Sequence, residues 1–271
     1  MAEAVTLLAT GDARILSGGT DFYPAQGERV VRDRIVDVSA LGELRGVSRE
    51  GDFLRIGGLT TWSDIVRAHL PRGFDALKSA AREVGSVQIQ NRGTVAGNLC
   101  NASPAADGVP PLLVLDAEVE LVSNAGRRRM ALAEFIVGNR KTQRQREELL
   151  TAVLVPRALE NAASSFVKLG ARRYLVISIA MVAAVIQTND AGRVGQARVA
   201  VGSCSAVARR LPALEAALKG TPAGDGFRGR VLREHLAPLS PIDDVRATGE
   251  YRMDAALTLI ERALNQCVGM G

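Results

Sequence analysis

Two short glycine-bearing segments constrain this chain most. Ser17-Gly18-Gly19-Thr20-Asp21 is the first. Gly93-Thr94-Val95-Ala96-Gly97-Asn98, continued by Ser103-Pro104-Ala105-Ala106-Asp107, is the second. Both are small and polar, with many backbone N–H donors and few bulky side chains. Successive N–H groups turned to one side form a concavity that suits a phosphate. Two such loops, far apart in sequence, can hold a diphosphate from both sides. The pattern points to a nucleotide cofactor rather than to DNA or a membrane.

The bulk properties agree. A chain of 271 residues, 47% of them hydrophobic, can build one large or two modest domains. Aromatics are only 4%, so Val, Leu, Ile and Ala must form the core. The formal charge of +5 is spread along the chain, and no aromatic residues interleave with its basic runs. Those runs, Arg127-Arg128-Arg129 and Arg140-Lys141 through Arg146, read as a solvated loop or the rim of a subunit contact. Cys100, Cys204 and Cys267 give neither a disulfide framework nor a four-thiolate metal site. His69 and His235 are too far apart to suggest a metal cluster. No secretory leader is visible, and Tyr174 to Ile186, the longest apolar stretch, is too short to span a bilayer. A soluble cytoplasmic protein is expected.

Patterning predicts helices over Ala2–Ala9, Asp75–Val84, Val109–Leu115, Leu211–Leu218, Gly226–Leu236 and Asp254–Cys267, with a helix start at Thr61-Trp62-Ser63-Asp64. It predicts strands at Ala13–Leu16, Arg34–Val38, Leu54–Ile56, Ala117–Val122, Glu148–Val155, Ser165–Leu169, Ile177–Gln187 and Gln196–Gly202. Pro156 and the polar stretch to Ala163 mark a boundary. No internal repeat appears.

Taken alone, Gly18-Gly19 after a strand is a simple turn, which Thr20 and Asp21 also favour. Neither a G-x-G-x-x-G nor a G-x-x-x-x-G-K-[ST] pattern follows a strand, so the two standard nucleotide folds are unsupported. In the second segment, Asn98, Asn101, Ser103 and Asp107 supply closely spaced donors and acceptors. They suit a nucleotide, and they equally suit an irregular loop held by its own side chains.

Five segments in order give a resemblance. They are Leu16 to Asp21, Ile56 to Thr61, Gln88 to Thr94, Gly97-Asn98 with Ser103-Pro104 and Asp107, and Lys168 to Arg173. Together they resemble the FAD-binding medium subunit of molybdenum hydroxylases, the xanthine dehydrogenase, carbon monoxide dehydrogenase and 4-hydroxybenzoyl-CoA reductase group. The resemblance covers nearly the whole chain. It implies an α+β chain: a two-lobed FAD-binding fold of the vanillyl-alcohol oxidase type over residues 1–160, then a smaller α+β C-terminal domain over 161–271. It implies that Ser17, Gly18, Gly19 and Thr20 wrap the FAD diphosphate, with Asp21 shaping the loop. Thr94, Ala96, Gly97 and Asn98 belong to the opposing wall. Ser103 and Asp107 reach diphosphate and ribose. Lys168 lies near the flavin end, within a flavin-proximal segment 168–178, and Tyr174 or Ile177 covers one flavin face. Tyr174 also reads as an ordinary core aromatic.

Three positions depart from the family pattern. Ala96 stands where glycine is usual, so a positive φ there would be strained. Trp62 stands where a histidine is common. The family also begins with an extra strand before its first helix, so a shortened or mis-assigned start is expected at Met1.

The resemblance implies an electron-transfer subunit that receives electrons from an iron–sulfur partner and passes them to NAD+, oxygen or another acceptor. The substrate would be oxidised on a molybdopterin-containing large subunit, in a dimer of heterotrimers. Three cysteines are too few for iron–sulfur clusters here. The alternatives are a stand-alone flavin oxidoreductase of the same broad fold and a non-catalytic nucleotide-binding assembly subunit. The first is weakened because no acid–base pair stands out.

Overall fold

The structure, a computed structural model, describes residues 1–173 and 175–270. Helix α1 (Ala2–Leu8) buries Ala4 and Leu8 against Val36, Val38, Leu59 and Leu149. Strands β1 (Ala13–Leu16) and β2 (Arg34–Asp37) pair in parallel, with Ile15 opposite Val36. Parallel strands need a crossover. Here it contains Ser17 to Asp21 and the short helix α2 (Phe22–Gln26). The first glycine segment therefore lies at the carboxyl end of a parallel strand, where open sheets hold ligands.

Strands β3 (Val47–Glu50) and β4 (Phe53–Gly57) form a hairpin. Helix α3 (Trp62–Arg67) starts with a reciprocal cap between Thr61 and Asp64. Helices α4 (Asp75–Glu83), α5 (Val87–Arg92), α6 (Val95–Asn101) and α7 (Val109–Val114) follow. Next come β5 (Glu118–Ser123), β6 (Gly126–Ala131), α8 (Leu132–Phe135), β7 (Ile136–Gly138), β8 (Lys141–Thr142) and β9 (Leu149–Pro156). The remaining elements are β10 (Ala163–Leu169), β11 (Ala180–Thr188), β12 (Val194–Gly202), β13 (Arg209–Arg210), α9 (Pro212–Leu218) and α10 (Gly249–Cys267). Among the described residues, no helix is long and apolar enough to cross a membrane.

Two antiparallel sheets organise this α+β chain. One runs β3-β4-β9-β5-β6 and the other β10-β11-β12-β13. Strand β11 shows how they join. Side chains alternate along a strand. Met181, Ala183 and Val185 point into the core that holds Trp62, Leu77, Leu99 and Leu112. Ala180, Val182, Ala184 and Ile186 point into a second core, with Ala256, Leu259, Ile260, Ala263 and Leu264 of α10. Both faces are covered, which explains the unbroken apolar run.

Several expectations need correction. Residues 226–232 are irregular, and only a short 3-10 turn forms at Arg233–Leu236. Gly226 and Gly229 both adopt positive φ, which stops a helix. Helix α10 starts earlier than predicted, because the Thr248 hydroxyl accepts from the Tyr251 N–H. Strand β11 begins at Ala180, not Ile177. Strands β3 and β6 and helices α5 and α6 were not foreseen. Arg127 to Arg129 are not loop residues but the edge strand β6.

The arginines of β6 serve carboxylates of the same sheet and of the turn that leads into β9. Arg128 grips Glu148 at 2.5 and 2.8 Å. Glu120, fully buried on β5, takes Arg55 and Arg127 at 3.1 Å each and the Thr151 hydroxyl at 2.7 Å. Burial alone would raise the Glu120 carboxyl, but Thr151, Arg55 and Arg127 outweigh it and hold it below its ordinary value. Its stabilisation is therefore complete above the unfolded carboxylate value of ~4.3 and is lost as pH falls through the lower folded one. Glu120→Gln should cost about 3 kcal/mol at neutral pH by removing the buried carboxylate that Arg55 and Arg127 share, leaving Arg55 only the more exposed Glu50 at 3.7 Å. Urea unfolding followed across pH should show that loss and a shallower acid limb.

Candidate functional site

A cleft of about 1380 Å³ opens between the β1–α2 crossover, α6 and the β7–β8 hairpin. Ser17, Gly18, Gly19, Thr20 and Asp21 line one side, and Thr94, Ala96, Gly97 and Asn98 line the other. The two glycine segments do converge. They meet where the Ser17 and Thr94 hydroxyls lie 3.2 Å apart.

The two walls are not alike. No described residue accepts from the backbone N–H of Ser17, Gly18, Gly19 or Thr20. These four consecutive donors border the cleft. Their chain presses so closely on the end of α5 that a Cβ on Gly18 would lie 2.7 Å from the Arg92 carbonyl carbon. The second segment is no loop. Thr94 caps α6, and its hydroxyl accepts from the Gly97 N–H at 3.0 Å. The Val95 N–H donates to the Thr60 carbonyl at 2.9 Å and the Ala96 N–H to the Gly58 carbonyl at 3.2 Å. The Asn98 N–H returns to the Thr94 carbonyl at 3.0 Å. Every one of these donors is spent inside the protein, which corrects the expectation of a second N–H cradle. Ala96 sits in helical backbone and is absent from the residues with positive φ, so the anticipated strain does not arise.

What the second wall offers is side chains. Asn98 Oδ1 is buried without a partner, close to Trp62 and Gly108. A buried acceptor left unpaired is costly. Asp21 accepts from Asn101 Nδ2 at 2.8 Å, and Asn101 in turn takes the Arg140 guanidinium. Trp62 is fully buried and lines the cleft floor, so the usual histidine position is a packing position here.

Four basic residues expected at a solvated loop or contact rim instead border the cleft: Arg140, Lys141, Arg144 and Arg146 of the β7–β8 region. The Arg144 guanidinium braces this turn through the carbonyls of Gln145, Arg146 and Glu148. The density of the basic run was the only sequence signal for this role. Cys100 also borders the cleft, and burial pushes its thiol up to about 11 against the nearby Arg144 charge.

The remaining predicted residues lie elsewhere. Ser103 closes a local turn, its hydroxyl accepting from the Ala105 N–H at 3.3 Å, and does not line the cleft. Asp107 and Lys168 meet each other, at 2.7 Å, within a buried group. Ser178 Oγ donates to the other Asp107 oxygen at 2.6 Å, and Lys168 also donates to the Glu83 carbonyl at 3.2 Å. Burial raises the Asp107 carboxyl, while Lys168 and Ser178 act in the opposite direction. Ile177 is 59% exposed on the β10–β11 connection. Tyr174 lies outside the described residues.

Free amides, a basic border and an orphaned buried amide oxygen fit a large ligand with an anionic centre and hydrogen-bonding ends, as a dinucleotide has. Among the described residues, no three His, Cys, Asp or Glu side chains converge as metal ligands.

Residues 1–158 match the FAD binding domain in molybdopterin dehydrogenase, and residues 165–267 match the CO dehydrogenase flavoprotein C-terminal domain. The putative xanthine dehydrogenase FAD-binding subunit of Escherichia coli (strain K12) is 31% identical over 99% of this chain and 93% of its own length. The nicotinate dehydrogenase FAD-subunit of Eubacterium barkeri is 36% identical over 66% of this chain, and the match spans 62% of that subunit. A structure of carbon monoxide dehydrogenase from Hydrogenophaga pseudoflava, which lacks the Mo-pyranopterin moiety of the molybdenum cofactor, superposes with a TM-score of 0.90. It covers 99% of this chain and 94% of that one at 27% identity. Two family matches that between them span almost the whole chain, and a fold shared along its length with such subunits, make this chain a member of the FAD-binding medium-subunit family of the molybdenum hydroxylases.

Proposed function

We propose that the chain is the electron-transfer subunit of a molybdenum hydroxylase complex. It would take electrons from an iron–sulfur subunit and deliver them to NAD+, oxygen or another acceptor. A molybdopterin-containing large subunit would complete the assembly, as a dimer of heterotrimers. Three cysteines are too few to ligate iron–sulfur clusters, so in this reading the clusters come from a partner. The relatives are named for xanthine, nicotinate and carbon monoxide, which is consistent with substrate choice residing on another polypeptide. FAD, when bound, supplies the redox chemistry.

The observation that carries this reading is the row of four unpaired amides at Ser17 to Thr20. In the proposed site they hold the diphosphate, and Asp21, fixed by Asn101, keeps the crossover in shape. Arg140 and Lys141 add positive charge at the cleft border. Asn98 offers its unpaired oxygen to a ligand N–H or O–H. Thr94 and Gly97 form the wall facing Ser17. Ser103, in its local turn, and Asp107, in its buried ion pair, would hold the 103–107 segment in place behind the cleft. Lys168 would lie by the flavin end, and the 168–178 segment would cover the ring through Tyr174 or Ile177. In this scheme residues 1–160 bind FAD and 161–271 form the C-terminal domain.

The chain, purified with its partners or alone, should be yellow and release FAD on denaturation. A colourless chain that does not take up added FAD, judged by flavin absorbance, would refute the reading. Gly18→Ala should abolish FAD retention, because its Cβ has no room beside Arg92. Ala96→Gly should leave FAD affinity within about threefold of wild type and cost about 1 kcal/mol of stability, the ordinary helix penalty of glycine. Fluorescence titration of the apo-protein separates the two.

A further inference from the structure

Arg252 of α10 is a buried arginine, only 2% exposed, that the cleft does not use. Its Nη1 donates to the carbonyl oxygens of Ile179 at 2.5 Å and Ser203 at 3.1 Å. Its Nη2 donates to Asp244 Oδ1 at 2.7 Å, and its Nε is buried with no partner. An apolar side chain of similar size would fill this space without leaving a buried donor unpaired. Only a planar fork with several donors can hold three chain segments at once.

Two of those segments lead toward the flavin side of the proposed site. Ile179 closes the β10–β11 connection by donating its N–H to the Leu169 carbonyl at 2.8 Å. The preceding residue, Ser178, is tied to Asp107. Consecutive residues are thus fixed by two separate buried ions. Beyond them the connection faces solvent, with Leu175 and Ile177 both more than half exposed. Arg172 braces its interior by donating twice to the Leu175 carbonyl, at 2.6 and 3.1 Å. On the other arm, the Ser203 N–H donates to the Pro104 carbonyl at 3.0 Å. Pro104 belongs to the segment that ends in Asp107. Arg252 therefore links the exit of the 170–178 connection to the turn that carries residues 103–107.

We propose that Arg252 is a positioning residue. It fixes Ile179 and Ser203 relative to one another and so sets how the 170–178 connection is presented to the flavin. This rests on the proposed placement of that connection beside the isoalloxazine ring.

The test uses the FAD-loaded full chain under trace trypsin. Cleavage after Arg172 is timed by mass spectrometry, and the visible circular dichroism of bound flavin is recorded. In the wild type, FAD should slow this cleavage about tenfold relative to the apo-protein, through suppressed local opening. Equal rates with and without FAD would overturn the placement of the segment, whatever Arg252 does.

With that protection present, Arg252→Met should speed cleavage of the loaded protein about tenfold and change the flavin dichroism, with a far smaller change in cleavage elsewhere. Arg252→Lys should fall between the two, because an ammonium can still reach one carbonyl. Arg233→Met removes only the exposed pair between Arg233 of the 3-10 turn and Asp254 of α10 and should behave as wild type. The proposal is overturned if FAD protects the wild type while both Arg252 variants keep wild-type cleavage and dichroism, or if their cleavage rises equally at all sites. If Arg252→Met does not fold, Arg252→Lys decides alone: several-fold faster cleavage supports the proposal, and a wild-type rate refutes it.

Discussion

The backbone at Gly18 lies flat against the carbonyl of Arg92, and the width of the cleft follows from that contact. No side chain separates the crossover from the end of α5, so the two walls approach as closely as main chains can. The Ser17–Thr94 hydroxyl contact then fixes their relative slide. Because α5 ends at Arg92 and the cap of α6 is Thr94, one short turn both receives Gly18 and starts the opposing wall. A larger residue at position 18 would push the β1–β2 unit away from α6, and the free amides would face a gap rather than a ligand.

The division of labour between the walls follows from where backbone donors are spent. Helix α6 needs its first turn satisfied, and it finds Gly58, Thr60 and Thr94 for that purpose. The helix start is thereby rigid but carries no spare N–H. The stretch Ser17–Thr20, ahead of α2, belongs to no helix or strand, so its donors remain available at the cleft. Unpaired amides are tolerated where solvent or a ligand can serve them. One wall is a scaffold bearing side-chain groups, and the other carries the free amides.

Much of this was legible in the sequence. Strand β1 feeding Gly18-Gly19, the helix start at Thr61 to Asp64 and the apolar run of β11 follow from local patterning. The pairing of two distant glycine segments across one cleft came from motif order. What could not be read was tertiary in origin. Segment 93–98 looks like a loop because Gly93, Thr94 and Gly97 are turn residues, yet a cap and packing under the sheet make it helical. The basic run at 140–146 gives no hint of direction until the β7–β8 hairpin turns it toward the cleft. Asp107 and Lys168 attract opposite charges, but nothing local says that each is the other's partner. The helix expected at 226–236 does not form, because the chain uses Gly226 and Gly229 at positive φ.

The chain matches two family domains, yet its packing argues against two independent bodies. The core that holds Trp62, Leu99 and Val153 also contains Phe166, Met181, Val185 and Ala200, which lie beyond the first match. Domains that move apart are usually joined by smaller and more polar contacts. Here β11 contributes alternate side chains to both cores, so moving the second sheet would open the first core. The Asp107–Lys168 pair crosses the same junction and is buried, so separating its partners would strand a charge. The second sheet is therefore best understood as a fixed support. It holds the base of the 170–178 connection at a set distance from the segment of Asp107. An FAD-binding subunit is served by such constancy, since redox chemistry depends on where the cofactor is held rather than on a moving acid or base.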